Sequence, residues 1–566
     1  MSMESEKLVV ELNYRHAIID ERDPERAFSS RKMFDLLPET LMDKRTMRLV
    51  EIHDLFAAVD DTRTNVGSAR LFHSMVNPSE SIELIHAKHD SFCELDSNAK
   101  LKDAIEEFLV SFRYGEETLF KLLNAHIHPL APYGSFNRAM NVIKDMLQGV
   151  KKIPQPETIY LDSLIKSILS FKGSPAYDLI TGPRHRTTRG MKTRKEKKFF
   201  TPSLRFYPTR LSIGALIPAV PAIYFGLGWF TEFMNPAVAW SMLLLTGWMS
   251  VFGFLYSGVI KPIFDYETAI LPIRTRLTQS NRFASAIEAV AAIDELFSFV
   301  TFSRKSKHPC VLPEITNNKS HSFIARDLRN PTKDLIENDF VPSDVSLDGQ
   351  RTTFITGPNS GGKTTFCKTI VQNQILGQIG APVMASYARI NMADRITYQA
   401  PAFDTLHDEE GRFGTELKVT RDIFFATTPQ SLVILDEIAE GTTTHEKMGL
   451  SVDIMNGFYA IGNNTLLVTH SFELVEQFRR QQKGQYLQVE FKDNLPTHRM
   501  VEGISRESQA HRVASKIGFS PEDIRKHLEE KGYLEPEPEE NGHEERRKKT
   551  EDRRKTSGDR RQSQND

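Results

Sequence analysis

Eight consecutive residues, Gly357-Pro358-Asn359-Ser360-Gly361-Gly362-Lys363-Thr364, have the spacing G-x-x-x-x-G-K-T. Glycines in that pattern let successive backbone N–H groups converge on one anion, and a lysine at that place neutralises the terminal phosphates of a nucleotide. The hydroxyl of Thr364 is an oxygen ligand suited to Mg2+, and Thr365 extends the run. Further along, Asp436-Glu437 closes the apolar stretch Leu432–Leu435. The first acid would hold Mg2+ through water, and the second would orient or deprotonate an attacking water. A third apolar stretch ends in Thr469-His470, where an imidazole can sense a γ-phosphate or polarise water. Together these residues predict a site for ATP and Mg2+ that hydrolyses the nucleotide. Gly357, Pro358, Asn359, Ser360, Gly361, Gly362, Lys363, Thr364 and Thr365 would contact the nucleotide, Thr364 and Asp436 the metal, and Lys363, Glu437 and His470 the reacting groups.

Such a site needs strands whose carboxyl ends meet at one edge of a parallel sheet. Arg351-Thr-Thr-Phe-Ile-Thr, Ser431-Leu-Val-Ile-Leu and Asn464-Thr-Leu-Leu-Val-Thr are three buried-strand candidates, each running directly into one of the motifs. From Val345 onward strands alternate with helical runs, the pattern of an α/β domain. Before it the chain is helical, with apolar residues such as Leu101, Ile105, Phe108, Leu109 and Phe112 at three- and four-residue spacing.

The 566-residue length implies about three or four structural units. A net charge of −2 supplies no global attraction to polyanions, so any nucleic-acid surface must be local. Cys93, Cys310 and Cys367 are odd in number and far apart, which argues against a disulfide framework or a metal cluster, fits a reducing compartment and reads as packing. Met1 to Lys7 carries acids and no apolar run, unlike a cleavable leader.

One segment is unlike the rest. Leu211–Thr231 and Phe233–Ile260 contain no charged residue, and only Glu232 separates them. Each is long enough to cross a bilayer as a helix, all three tryptophans (Trp229, Trp240 and Trp248) lie there, and basic residues flank the pair. The expectation is a two-helix transmembrane hairpin over 211–260, with both termini and the ATPase domain cytoplasmic. A buried helical hairpin in a soluble domain is the alternative. The preceding stretch, with Arg184, Arg186, Arg189, Lys192, Arg194, Lys195, Lys197 and Lys198, reads as an exposed basic linker.

At this point the residues resemble the MutS family of DNA mismatch-repair ATPases. Thr356-Gly-Pro-Asn-Ser-Gly-Gly-Lys-Thr-Thr is similar to that family's T-G-P-N-M-G-G-K-S-T, Asp436-Glu-Ile-Ala-Glu-Gly-Thr-Thr-Thr to its D-E-I-G-R-G-T-S-T, and Thr469-His-Ser-Phe-Glu to its T-H-Y-F-E. Phe340-Val-Pro-Ser-Asp-Val, Gly380-Ala-Pro-Val-Met-Ala, the closing run from Glu502, and Asp60-Asp-Thr-Arg-Thr-Asn-Val-Gly-Ser-Ala-Arg-Leu extend the likeness. The resemblance implies that Asn359 contacts the nucleotide or its water, that His470 is a switch residue, and that two ATPase domains pair, here as a homodimer. Departures are Glu440 where the family has Arg, and Gly411-Arg-Phe-Gly-Thr-Glu without the signature Ser-Thr-Phe. The first 50 residues leave no room for mismatch-reading and connector domains, so DNA would be bound without mismatch specificity.

The fold class expected is therefore an α/β P-loop ATPase domain of ABC-like, MutS type, plus an all-α core and lever domain interrupted by the transmembrane hairpin. The boundaries are 1–45, an N-terminal extension; 46–172, helical core and lever; 173–210, basic linker; 211–260, hairpin; 261–335, returning helices; 336–530, ATPase with dimerisation helices; and 531–566, a charged tail too polar to order itself. Two functions stand open: a membrane-anchored ATPase that meets DNA, and an ATP-driven switch acting on the membrane or a protein with no DNA role.

Overall fold

Apolar residues at helical spacing fold the first part of the chain into α1 (Lys44–Leu49), α2 (Ile52–Val59), α3 (Asn65–Val76), α4 (Ile82–Ser97), α5 (Ala99–Leu123), α6 (Tyr133–Gly149), α7 (Ile159–Ser170) and α8 (Pro175–Thr181). A computed structural model describes residues 41–79, 81–123, 133–187, 190–196, 203–205, 241, 244, 247–248, 251–333, 340–358, 361–401, 411–438, 444–492, 495–505, 517–531 and 533. After α8 come three short strands, β1 (His185–Thr187), β2 (Gly190–Lys192) and β3 (Ser203–Arg205), and then the helices α9 (Lys261–Asp265), α10 (Leu271–Thr278) and α11 (Asn281–Lys305). Two compact units divide the chain, residues 1–505 and residues 506–566.

The axis of the helical part is α11, which packs against α3, α4, α5 and α7. From Ala289 to Val300 every residue of this helix is buried, so its polar side chains there must find partners. Buried Asp294 accepts from the backbone N–H groups of Arg63 (2.9 Å) and Thr64 (2.7 Å) and from the Thr64 hydroxyl (2.6 Å). Buried Glu116 of α5 accepts from the N–H groups of Asn65 (2.9 Å) and Val66 (2.7 Å). Two carboxylates thereby satisfy orphan donors at the start of α3 and complement its positive end. Burial pushes Glu116 up to about 7 and Asp294 up to about 6. Thr64 is the N-cap, accepting from Gly67 N–H at 3.0 Å, and Asp60 accepts from the Ser68 hydroxyl at 2.7 Å. The run Asp60–Gly67 is thus a helix start built around a buried acid of another helix, and a side chain at Gly67 would collide with the Asp294 carboxylate.

The α/β part contains β4 (Glu314–Thr316), β5 (Phe323–Leu328), β6 (Ser343–Leu347), β7 (Thr352–Thr356), α12 (Lys363–Ile379), β8 (Tyr387–Asn391), β9 (Ile396–Gln399), α13 (Gly411–Ala426), β10 (Leu432–Asp436), α14 (Thr444–Ile461), β11 (Asn464–Val468), α15 (Phe472–Arg480), β12 (Gln485–Lys492) and β13 (Leu495–Glu502). The main sheet has the order β13-β12-β7-β11-β10-β9, parallel from β12 to β9 with β13 antiparallel at the edge. Every residue of β7 and β11 is buried, as expected of central parallel strands covered on both faces. A smaller sheet has the order β4-β8-β5-β6. The second unit contributes α16 (Pro521–Glu530), opened by a capping box between Ser520 and Asp523. The run 506–516, most of the closing segment, lies outside the described residues, as does the tail apart from 531 and 533.

Several expectations change here. The transmembrane hairpin is corrected: among the described residues no helix is long and apolar enough to cross a membrane. The membrane partner and the two-pass cytoplasmic placement that rested on it fall with it. Absence of charge set the length of those runs in sequence, but the described helical stretch after 251 is broken by π-helical turns, Tyr256–Ile260 and Tyr266–Ile270, and takes in Lys261, Asp265 and Glu267. Each wide turn ends two residues before a proline, Pro262 or Pro272, whose ring would clash with the carbonyl four residues earlier in a regular helix. Residues 206–240, with the first run, lie outside the described residues. The basic stretch read as a linker folds, where described, into α8 and an antiparallel sheet of order β2-β1-β3. Of the cysteines, Cys367 is buried, Cys310 half-buried and Cys93 exposed, and none forms a disulfide.

Replacing Gly67 with Ala forces a methyl against the Asp294 carboxylate. The expected loss is about 1–3 kcal/mol of stability, read from chemical denaturation of the full chain; an unchanged midpoint would refute this account of the glycine.

Candidate functional site

In the sheet order β7, β11 and β10 are neighbours, and their pairing aligns Ile355 with Val468 and Val468 with Asp436. The three sequence motifs therefore leave the same edge of the sheet side by side, at the carboxyl ends of parallel strands. The phosphate loop leaves β7 with Gly357 at φ 128° and enters α12 through Gly362 at φ 86°, both in the region that favours glycine. A Cβ at Gly361 would lie 2.5 Å from Val489 Cγ2, and one at Gly357 would lie 2.9 Å from it, so β12 presses directly on the loop. Asn359 and Ser360 lie outside the described residues.

Lys363 begins α12 with its side chain folded back into the loop, where Nζ donates to Gly357 O at 2.6 Å. Burial lowers the lysine to about 8, against the opposing pull of Asp436. Thr364 Oγ1 donates to Asp436 Oδ2 at 3.1 Å, so the two oxygens expected to serve the metal already face each other. Among the described residues no group of three or more His, Cys, Asp or Glu side chains could hold a metal ion. A hydroxyl and one carboxylate still fit Mg2+, which keeps several waters and takes phosphate oxygens from its substrate. Thr365 sits in the first turn of α12, where its carbonyl accepts from the Thr369 hydroxyl.

Glu437 follows β10 at φ 64°, a left-handed conformation costly for a residue with a side chain, and its N–H donates to Val468 O at 2.9 Å. That turn aims its carboxylate across the strand ends: His470 Nε2 lies 3.5 Å from Oε1, and Lys447 Nζ of α14 lies 3.8 Å from Oε2. The structure thus brings Lys363, Thr364, Asp436, Glu437 and His470 to one edge. Glu440 lies outside the described residues, and Gly411–Glu416, expected to form the signature region, begin α13.

Three neighbours escaped sequence reasoning. Val489 forms the wall behind the loop, Lys447 reaches Glu437, and His498 of β13 places Nδ1 3.5 Å from where a Gly362 Cβ would stand. His498 is itself left-handed, at φ 63°. No spacing links these residues to the motifs, because they arrive through strand pairing and a later helix.

Fold and site together define a phosphate-binding-loop α/β domain. Residues 353–532 match the family model MutS domain V. Relatives of the chain include a DNA mismatch repair protein msh3 of Aspergillus oryzae, 35% identical over 193 residues, which is 33% of this chain and 17% of that protein. The msh3 of Aspergillus niger is 34% identical over 198 residues (34% of this chain, 17% of that protein), and MSH3 of Coccidioides immitis is 32% identical over 219 residues (38% and 19%). The match thus spans less than a fifth of these relatives' own length.

Were a nucleotide bound at this loop, the position of Lys363 would make its affinity pH-dependent. A lysine at about 8 is partly neutral above that pH, and polyphosphate binding requires its charge, so the protein must take up a proton to bind. ATP affinity should be flat below pH 7 and fall as pH rises through about 8, by up to about tenfold per unit. Isothermal titration in buffers of different ionisation heat measures this, and an affinity constant from pH 7 to 9.5 refutes it.

Proposed function

We propose that this protein binds ATP with Mg2+, hydrolyses it at the edge formed by β7, β10 and β11, and uses that turnover as a switch in DNA handling. The observation that carries the reading is the convergence of Lys363, the Thr364–Asp436 pair and the Glu437–His470 pair on one sheet edge. Backbone N–H groups of the loop and the Lys363 ammonium would receive the phosphates. When bound, Mg2+ neutralises charge developing on the phosphate oxygens, and Thr364 and Asp436 are the residues that would hold it. Glu437 would take the proton of the attacking water as its oxygen bonds to the γ-phosphorus. The bond to the bridging oxygen breaks and its electron pair leaves with ADP. His470, beside Glu437 Oε1, orients that carboxylate and is placed to respond to the γ-phosphate.

The DNA assignment rests on the relatives, each named a DNA mismatch repair protein, and on the MutS domain V match. By the same likeness we propose that the ATPase domain pairs with a second MutS-type ATPase domain.

Glu437→Gln removes the proton acceptor while keeping the shape. ATP binding should persist, hydrolysis should fall by at least about a hundredfold, and the ATP-loaded variant should sediment as a two-chain species. Hydrolysis at the wild-type rate would overturn the role of Glu437, and a single-chain species would overturn the pairing. Duplex DNA binding by the wild type should weaken linearly in log K against log salt and change with ATP. No binding at low salt with or without ATP would point instead to a protein-directed switch.

A further inference from the structure

The far end of the phosphate-loop helix holds a buried charge cluster that ATP chemistry does not use. α12 ends in a glycine cap: Gly380, at φ 81°, donates to Gly377 O and Ala381 donates to Leu376 O. That leaves the carbonyl of Ile379, and Lys88 of α4 donates to it from Nζ at 2.8 Å. A cation there complements the negative end of the helix. Lys88 is only 3% exposed, its methylenes pack over Gly380, and its ammonium lies 5.7 Å from the centre of the Phe299 ring.

The same ammonium is 3.0 Å from Glu295 Oε2 on α11. Arg70 Nε of α3 approaches that oxygen at 3.5 Å, while Arg70 Nη1 lies 2.9 Å from Glu288. Glu295 is fully buried, and although burial alone would raise it, Lys88 and Arg70 hold its carboxyl below the ordinary range. Glu295 adjoins Asp294, which holds the start of α3. Helices α3, α4 and α11 therefore meet at one carboxylate, and Lys88 ties that junction to the last carbonyl of α12. Inside the protein these ions cannot separate without leaving charges unpaired, so the helix end and the junction move together.

We propose that Lys88 is a positioning residue that joins the two halves of the molecule: nucleotide at the first turn of α12 shifts the helix, and Lys88 transmits the shift to α3, α4 and α11. This rests on the nucleotide-binding reading above. A straight helix of this length is a rod of about 25 Å, long enough to carry a displacement from loop to core without a chain of small rearrangements.

The test compares hydrogen exchange of the full chain with and without MgATP, together with ATP affinity and kcat. Lys88→Met alone takes from buried Glu295 its nearest cation, so the double variant Lys88→Met/Glu295→Gln, which removes both charges, is the informative one, and Lys88→Arg keeps a cation at Ile379. In the wild type and in Lys88→Arg, ATP should alter exchange both in the loop and in residues 65–76, 82–97 and 281–305. In the double variant the loop response and ATP affinity should persist while the response of those helices is lost. A helix response that survives in the double variant, or is absent from a wild type whose loop does respond, overturns the proposal alone. A wild type with no loop response overturns the nucleotide-binding reading, and the proposal with it.

Discussion

A helix buried at fourteen of its seventeen residues, α12, is the constraint on which the rest of the structure depends. Four of those residues are amides that must be satisfied away from water. Gln372 donates to Val50 O (2.9 Å), Asn373 to Arg329 O (2.9 Å), Gln374 to Asn391 O (2.9 Å) and Gln378 to Ala393 O (3.0 Å). Leaving one buried amide unmatched costs about 1–3 kcal/mol, and a slip of one residue would unmatch all four. The register of α12 is therefore fixed by segments far apart in the chain, and with it the height of the phosphate loop at its first turn.

The site inherits its precision from the sheet in the same way. β11 lies between β7 and β10, so the loop after each strand opens beside the next. Short paired strands leave little freedom at their carboxyl ends, and Glu437 is held in a left-handed turn by a hydrogen bond to Val468. β12 closes the other side, its Val489 set against glycines that no larger residue could replace without displacing the loop. The helical part answers a similar demand, since α11 carries buried Asp294 and Glu295, and the surrounding helices supply hydrogen-bond donors to the first and cations to the second.

The corrections have a shared cause. Leu211–Ile260 and the basic stretch before it were read by composition, which reports how much charge a segment carries but not what its backbone does. Pro262 imposes a wide helical turn at the described end of the apolar segment and Pro272 a second one beyond it, and Lys261, Asp265 and Glu267 lie between the two prolines or beside them. In the basic stretch, charge and glycine suggested a linker, yet strand pairing organises Gly190–Lys192 and Ser203–Arg205 around His185–Thr187.

The placement of the motif residues was legible from sequence because it depends on local order. A G-x-x-x-x-G-K-T run after an apolar stretch can only place a lysine and a hydroxyl at the start of a helix, and the acids after Leu435 and the imidazole after Thr469 are local in the same sense. The strands that position them were visible for the same reason, as short apolar runs ending in the motifs. What only the tertiary structure decided is everything that arrives from a distance. Val489 and His498 reach the loop through the pairing of β12 and β13, Lys447 reaches Glu437 from α14, and Lys88 reaches the end of α12 from a helix almost three hundred residues earlier. Burial made the amides of α12 its anchors, because a polar group's role is set by what surrounds it and not by its place in the chain.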